Sequence, residues 1–176
     1  MLARFTSLNP KYVAHINPKY NAHLNPEYNA HINPKYNAHL NPEYNAHANP
    51  EYNPHLNPKY NSSLNPTYNP QIDPKMNPDF AYNLQNRVVY FLFDLEGEVM
   101  GLLAFGSEDC LLFMDIDGDW KGEAVLDDEN GFVLFHNNGE WWAYGRQGEE
   151  GAVNLFMKRS GDWIGYGIPV PAQGAL

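Results

Sequence analysis

Proline follows asparagine at a fixed interval of eight residues from Asn9-Pro10 to Asn65-Pro66, inside the phrase NP(K/E)YNAH(L/I) that fills residues 9–72. An α-helix would lose a backbone donor and meet a steric clash at every second turn, so helix is disfavoured here. Asn-Pro instead suits the first two positions of a type I turn, with the asparagine side chain bonding the chain two residues on. The octad also divides into two similar tetrads: Asn, a small residue or proline, a polar residue, then a large apolar one. Asn53, Asn69 and Asn77 carry proline in the second tetrad as well. The sequence predicts a string of tight turns joined by short extended pieces. Such a series presents the same chemistry at a constant spacing, which suits a periodic partner: a polymer, a metal array, or copies of the same chain.

Two rows of large side chains result. Tyr12, Tyr20, Tyr28, Tyr36, Tyr44, Tyr52, Tyr60 and Tyr68 form one; Ile16, Leu24, Ile32, Leu40, Ala48, Leu56, Leu64 and Ile72 form the other. Histidines at 15, 23, 31, 39, 47 and 55 make a third, polar row. One aromatic and one aliphatic group per octad cannot offset the ordering of eight residues, so order is expected from a partner or from neighbouring copies.

Composition changes sharply near residue 86. Residues 1–86 carry 6 basic and 5 acidic groups, residues 87–176 carry 5 and 16, so the net charge of −10 belongs to the second part. The expected organisation is an octapeptide-repeat arm over 1–86 and a β-hairpin-repeat domain over 87–176. The single cysteine, Cys110, cannot form an intramolecular disulfide or a cysteine metal cluster. No stretch has the roughly 18 apolar residues of a membrane span, and the N-terminus shows no signal-peptide core. A fibre outside cells fits the cysteine usage, although no export route is visible.

Three partners suit the repeat. For a nucleic acid, regularly placed tyrosines can stack on bases without choosing a sequence, asparagine can donate and accept, and histidine can donate to phosphate. The residues expected to do so are Asn17, Tyr20, Asn21, His23, Asn25, Tyr28, Asn29, His31, Asn33, Tyr36, Asn37, His39, Asn41, Tyr44, Asn45 and His47. Lys11, Lys19, Lys35 and Lys59 alternate with Glu27, Glu43 and Glu51, so few phosphates are neutralised. The NPxYNAHL octads of residues 9–76 resemble the octapeptide-repeat proteins that coat RNA in ribonucleoprotein fibres. That resemblance implies RNA and further copies of the chain as partners, in a helical fibre. For a metal, the row His15, His23, His31, His39, His47 and His55 resembles the histidine octarepeats of prion protein, but its flanks are Ala and Leu or Ile where those repeats use glycine. The third possibility is assembly from protein alone, with Tyr and Leu as the seam and Lys and Glu pairing between neighbours. NPxY is also a trafficking signal, an incidental match in so long a series.

A slower period follows. Gly97-Glu98-Val99, Gly118-Asp119-Trp120, Gly139-Glu140-Trp141 and Gly161-Asp162-Trp163 recur every 21 or 22 residues, each after an apolar run such as VVYFLF or GFVLF. Two strands and two turns fit each period, with turns at Glu96-Gly97, Asp117-Gly118, Asn130-Gly131, Asn138-Gly139 and Ser160-Gly161. The expected fold is an all-β antiparallel meander of seven or eight strands, closed as a small barrel or sandwich. Asp115, Asp117 and Asp119 lack the spacing of a calcium loop and read as a hairpin turn. His136, Asp127, Asp128 and Ser160 do not form a triad spacing. Trp120, Trp141, Trp142 and Trp163 are expected to pack hairpins, and Asn61-Ser62-Ser63 is a glycosylation sequon. With no acid, base or nucleophile constellation, the expectation is a non-enzymatic structural protein without a cofactor.

Overall fold

At two hairpin turns of the C-terminal part an acidic side chain folds back on two amides of its own turn. Asp94 accepts from the amides of Glu96 and Glu98, and Asp115 accepts from those of Asp117 and Asp119 at 3.0 and 2.8 Å. Gly97 and Gly118 take φ values of 79° and 90°, which admit glycine at little cost. The Asp115 cluster is thus a hairpin turn, as its spacing suggests.

A computed structural model of the chain describes residues 8–171. Eight strands run in sequence: β1 (Val88–Asp94), β2 (Val99–Ser107), β3 (Cys110–Met114), β4 (Trp120–Asp127), β5 (Gly131–His136), β6 (Trp141–Gln147), β7 (Val153–Met157) and β8 (Trp163–Pro169). Every neighbour pair is antiparallel, and β8 pairs with β1, so the meander closes into a barrel with no free edge. The barrel interior is filled by Leu92, Leu103, Phe113, Ala124, Phe132, Leu134, Ala143 and Leu155, all buried.

The alternate positions face outward, yet they are apolar and buried too. Phe93, Leu102, Leu112, Val133, Phe135, Phe156 and Tyr166 join one cluster with Leu56, Leu64, Ile72 and Phe80 from the N-terminal part. The repeat therefore covers the outside of the barrel. Its residues 9–77 form consecutive tight turns and one-turn 3₁₀ helices: Tyr20, Tyr28, Tyr36 and Tyr44 each donate their amide to the asparagine three residues before.

Contacts along the repeat trace a belt running against the strand order. Lys11 pairs with Glu98 in the β1–β2 turn. The Leu24 oxygen accepts from Asn154 of β7 at 3.3 Å, and the Leu40 oxygen from Arg146 of β6 at 2.6 Å. The turn Pro54–Leu56 packs on β4, the Leu64 oxygen faces the Cys110 thiol of β3 at 3.7 Å, and Ile72 lies against Gly106 of β2. The repeat is thus ordered against the same chain's barrel, where the sequence led to the expectation of a partner or neighbouring copies. Lys11, Lys35 and Glu51 likewise pair with Glu98, Asp162 and Lys158 on barrel turns rather than with neighbouring octads.

The belt ends in a helix where the sequence pattern predicted one more turn. Helix α1 (Pro78–Arg87) starts at Asn77, whose side chain accepts from the Asp79 amide at 3.0 Å, with proline at its first position. No further proline follows, so the turn propagates. An Asp79–Arg87 pair spans it, and Leu84 reaches the β3–β4 turn at Gly118.

Candidate functional site

Seven of the eight positions of the octad divide between two faces, and the second asparagine lies between them, half-buried at Asn21, Asn29 and Asn37. The first asparagine, the proline and the aliphatic residue turn inward: Asn17, Asn25, Asn33, Asn41 and Asn49 are buried, as are Pro26, Pro34, Pro42 and Pro50. Positions three, four, six and seven turn outward, so Tyr, Ala and His share the outer face with Lys or Glu. All eight repeat tyrosines are 67–77% exposed, and His15, His23, His31, His39, His47 and His55 are exposed as well. The two apolar rows, equivalent in the tetrad pattern, are therefore opposite in role.

Asparagine amides hold this division in place. In turn after turn, Asn37 excepted, the side-chain oxygen accepts from the amide two residues on, as Asn17 does from Lys19 (2.9 Å), Asn25 from Glu27 (2.8 Å), Asn33 from Lys35 (2.9 Å) and Asn41 from Glu43 (3.0 Å). The nitrogen end reaches back to an earlier carbonyl. Asn21, Asn29, Asn37 and Asn45 donate to the oxygens of His15, His23, His31 and His39, each six residues before, at 3.0–3.3 Å. Asn17 and Asn33 donate instead to Pro10 and Pro26, seven residues before. The asparagines named as contact residues thus have their amides engaged within the chain, and the outward groups of that set are Tyr20, Tyr28, Tyr36, Tyr44, His23, His31, His39 and His47. Asn61 of the sequon is engaged in the same manner, with Ser63 and the His55 oxygen.

Between successive octads the outer face forms a groove of about 370 Å³ lined by Ala38, His39, Tyr44, Asn45, Ala46 and His47. Ala38 and Ala46 are the smallest side chains of this lining. The same residue types recur at Ala30, His31, Tyr36, Asn37, Ala38 and His39, and one octad earlier at Ala22, His23, Tyr28, Asn29, Ala30 and His31. A flat ring of nucleobase size can lie against a phenol in such a groove with imidazoles at either side. Among the described residues no group of three or more metal-ligating side chains comes together, so a histidine array needs ligands from another chain.

The barrel contributes buried polar groups below the belt. Arg146 and Asp127 form an ion pair at 2.7 Å with both side chains fully buried. Glu123 on β4 is buried without a hydrogen-bond partner for Oε2, and burial pushes its carboxyl up to about 8. Burial also pushes the Cys110 thiol well above its ordinary range. At one barrel mouth His136 stacks on Trp142, with ring centroids 5.0 Å apart. Trp120 and Trp141 donate their indole N–H to the oxygens of Gly122 and Ala143. Three of the four hairpin tryptophans therefore pack or bond within the barrel, and Trp163 packs against the cluster beneath the belt.

Comparison with protein-family models, curated proteins and solved structures finds no match.

Proposed function

We propose that the protein is a non-enzymatic, self-assembling structural protein whose outward Tyr–His face contacts an RNA polymer. The observation that carries this reading is the burial pattern of the octad. Its largest polar-tipped side chain, tyrosine, stands 67–77% exposed in every copy, and Tyr44 borders a groove lined by Ala38 and Ala46. Exposed phenols at constant spacing provide stacking platforms for successive bases, and such stacking is worth ~1–3 kcal/mol per base. Histidine and Lys19 or Lys59 on the same face supply donors for phosphate or sugar oxygens. The barrel lies on the other side of the belt.

The likeness of the octads to RNA-coating repeats supports the same reading. A chain with a net charge of −10 binds through stacking and neutral hydrogen bonds, so its affinity depends weakly on salt. Fibres or particles assembled by the protein are expected to contain phosphorus and to fall apart under ribonuclease. Intact, phosphorus-free fibres after ribonuclease would replace RNA with assembly from protein alone. That second reading is favoured by one observation: Lys11 and Lys35 of the repeat are already paired with barrel carboxylates.

A further inference from the structure

Glu123 occupies an outward position of β4, opposite Leu112 of β3 and Phe135 of β5. It is 2% exposed, and its Oε2 has no hydrogen-bond partner. Elsewhere on this outer face Arg146 and Asn154 donate to belt oxygens and Asp127 accepts from Arg146, while the Tyr144 and Tyr166 hydroxyls and Arg146 Nη2 are, like Glu123 Oε2, without a partner; Glu123 is the acidic group among these. An unpartnered buried carboxyl costs stability that an apolar residue, like its neighbours on either strand, would not.

The carboxyl borders a crevice of about 400 Å³ between the belt and the β5–β6 turn, lined among others by Lys59, Asn65, Tyr68, Asn137 and Glu140. We propose that this crevice binds the ammonium or guanidinium group of an organic cation, with the Glu123 carboxylate as its counter-ion at the floor and Glu140 at the rim. Lys59 and Tyr68 of its lining also belong to the outward face of the repeat, whereas Glu123 and Glu140 belong to the barrel, and only these two are varied in the test below.

The lining of the crevice selects this chemistry. Glu140 offsets the single Lys59 and the Glu123 carboxyl adds no positive charge, so nothing in the crevice favours an anion. Among the described residues no set of three metal-ligating side chains forms, which leaves a hard metal ion short of donors. The Tyr68 ring in the wall offers an apolar and cation-attracting surface to an alkyl ammonium or guanidinium group. Asn137 spends its amide nitrogen on the Trp120 oxygen at 3.3 Å, which leaves its side-chain oxygen as an acceptor. Burial holds Glu123 protonated at neutral pH, so binding a cation expels that proton.

Calorimetric titration of the full chain with 1,4-diaminobutane and with butylguanidine at pH 7 tests the site. Saturable binding is expected, with a heat that varies with the ionisation enthalpy of the buffer because a proton is released. Lys59, Tyr68, Glu140 and, from β3, Cys110 are the other titratable groups near the carboxyl. Loss of both the proton release and about tenfold or more of the affinity in Glu123→Gln assigns the effect to Glu123. Glu140→Gln is expected to weaken binding less, and it serves as the second variant should Glu123→Gln fail to fold. Absence of saturable binding by either probe, or binding by Glu123→Gln equal to that of the parent, overturns the proposal. Sedimentation separates the source of the cation. Self-association weakened by Glu123→Gln and by added diamine identifies a basic side chain of a second copy, and unchanged association identifies a free amine.

Discussion

Arg146 of β6 donates from Nε to the main-chain oxygen of Leu40 at 2.6 Å and from Nη1 to Asp127 at 2.7 Å, tying the belt to a fully buried ion pair on the barrel. Removing the cation leaves Asp127 buried without a counter-charge and the Leu40 oxygen without this donor. Arg146→Ala is expected to cost roughly 3–5 kcal/mol in denaturant unfolding. A loss below about 1 kcal/mol would mean that water reaches the pair and that the belt does not seal it.

The octad's two apolar rows should respond oppositely to truncation. Leu64→Ala and Ile72→Ala remove side chains that are 1% exposed, so each is expected to cost about 2–5 kcal/mol. Tyr44→Ala removes a side chain that is 75% exposed and is expected to change stability by no more than about 0.5 kcal/mol. Parallel thermal melts read both. Equal costs in the two rows would contradict the assignment of inner and outer faces.

Cys110 reports on the belt. Its thiol is buried beneath the Leu64 oxygen, and burial disfavours the thiolate that alkylating reagents require. Labelling of the native protein is expected to be slow and to accelerate in Leu64→Ala, whose weakened belt opens more often. Fast labelling of the parent would show that the belt is not closed over β3.

Glu123 gives stability a distinctive pH dependence. Its carboxyl rises from an ordinary 4.5 to about 8 on folding, so the folded chain holds a proton that the unfolded chain has lost between those values. The contribution is fully present below about 4.5 and disappears as pH rises through about 8. Glu123→Gln is therefore expected to gain stability relative to the parent progressively from pH 5 to pH 8, with the difference level above pH 9. A difference independent of pH would place the carboxyl in contact with water.

Much of this organisation was legible in the residues. Asn-Pro announced the turns because proline fixes φ and asparagine bonds two residues on, and the Gly-Asp-Trp period announced an antiparallel meander. Helix α1 was hidden because Asn77-Pro78 is both a turn signal and a helix start; the missing proline after it decides. The wrapping of the barrel was missed although a signal existed. Runs such as VVYFLF and GFVLF lack the alternation of a strand with one wet face, so both faces had to be covered. The apolar row that covers them includes Leu24, Ile32, Leu56, Leu64 and Ile72. Nothing in the pattern distinguished this row from the tyrosines, since the tetrad places both at equivalent positions; only contact with the barrel separates them. The groove at Ala38 and Ala46 was likewise invisible until the turns were built, because alanine reads as filler in a sequence.

The most direct measurement of the central claim is fluorescence anisotropy of a labelled single-stranded RNA, titrated with the parent protein and with a Tyr36→Ala, Tyr44→Ala, Tyr52→Ala triple variant at low and high salt. The outer-face account predicts binding by the parent that weakens little with salt and is lost in a variant that still melts like the parent. No binding by the parent, or binding that survives the triple substitution and vanishes with salt, would contradict it.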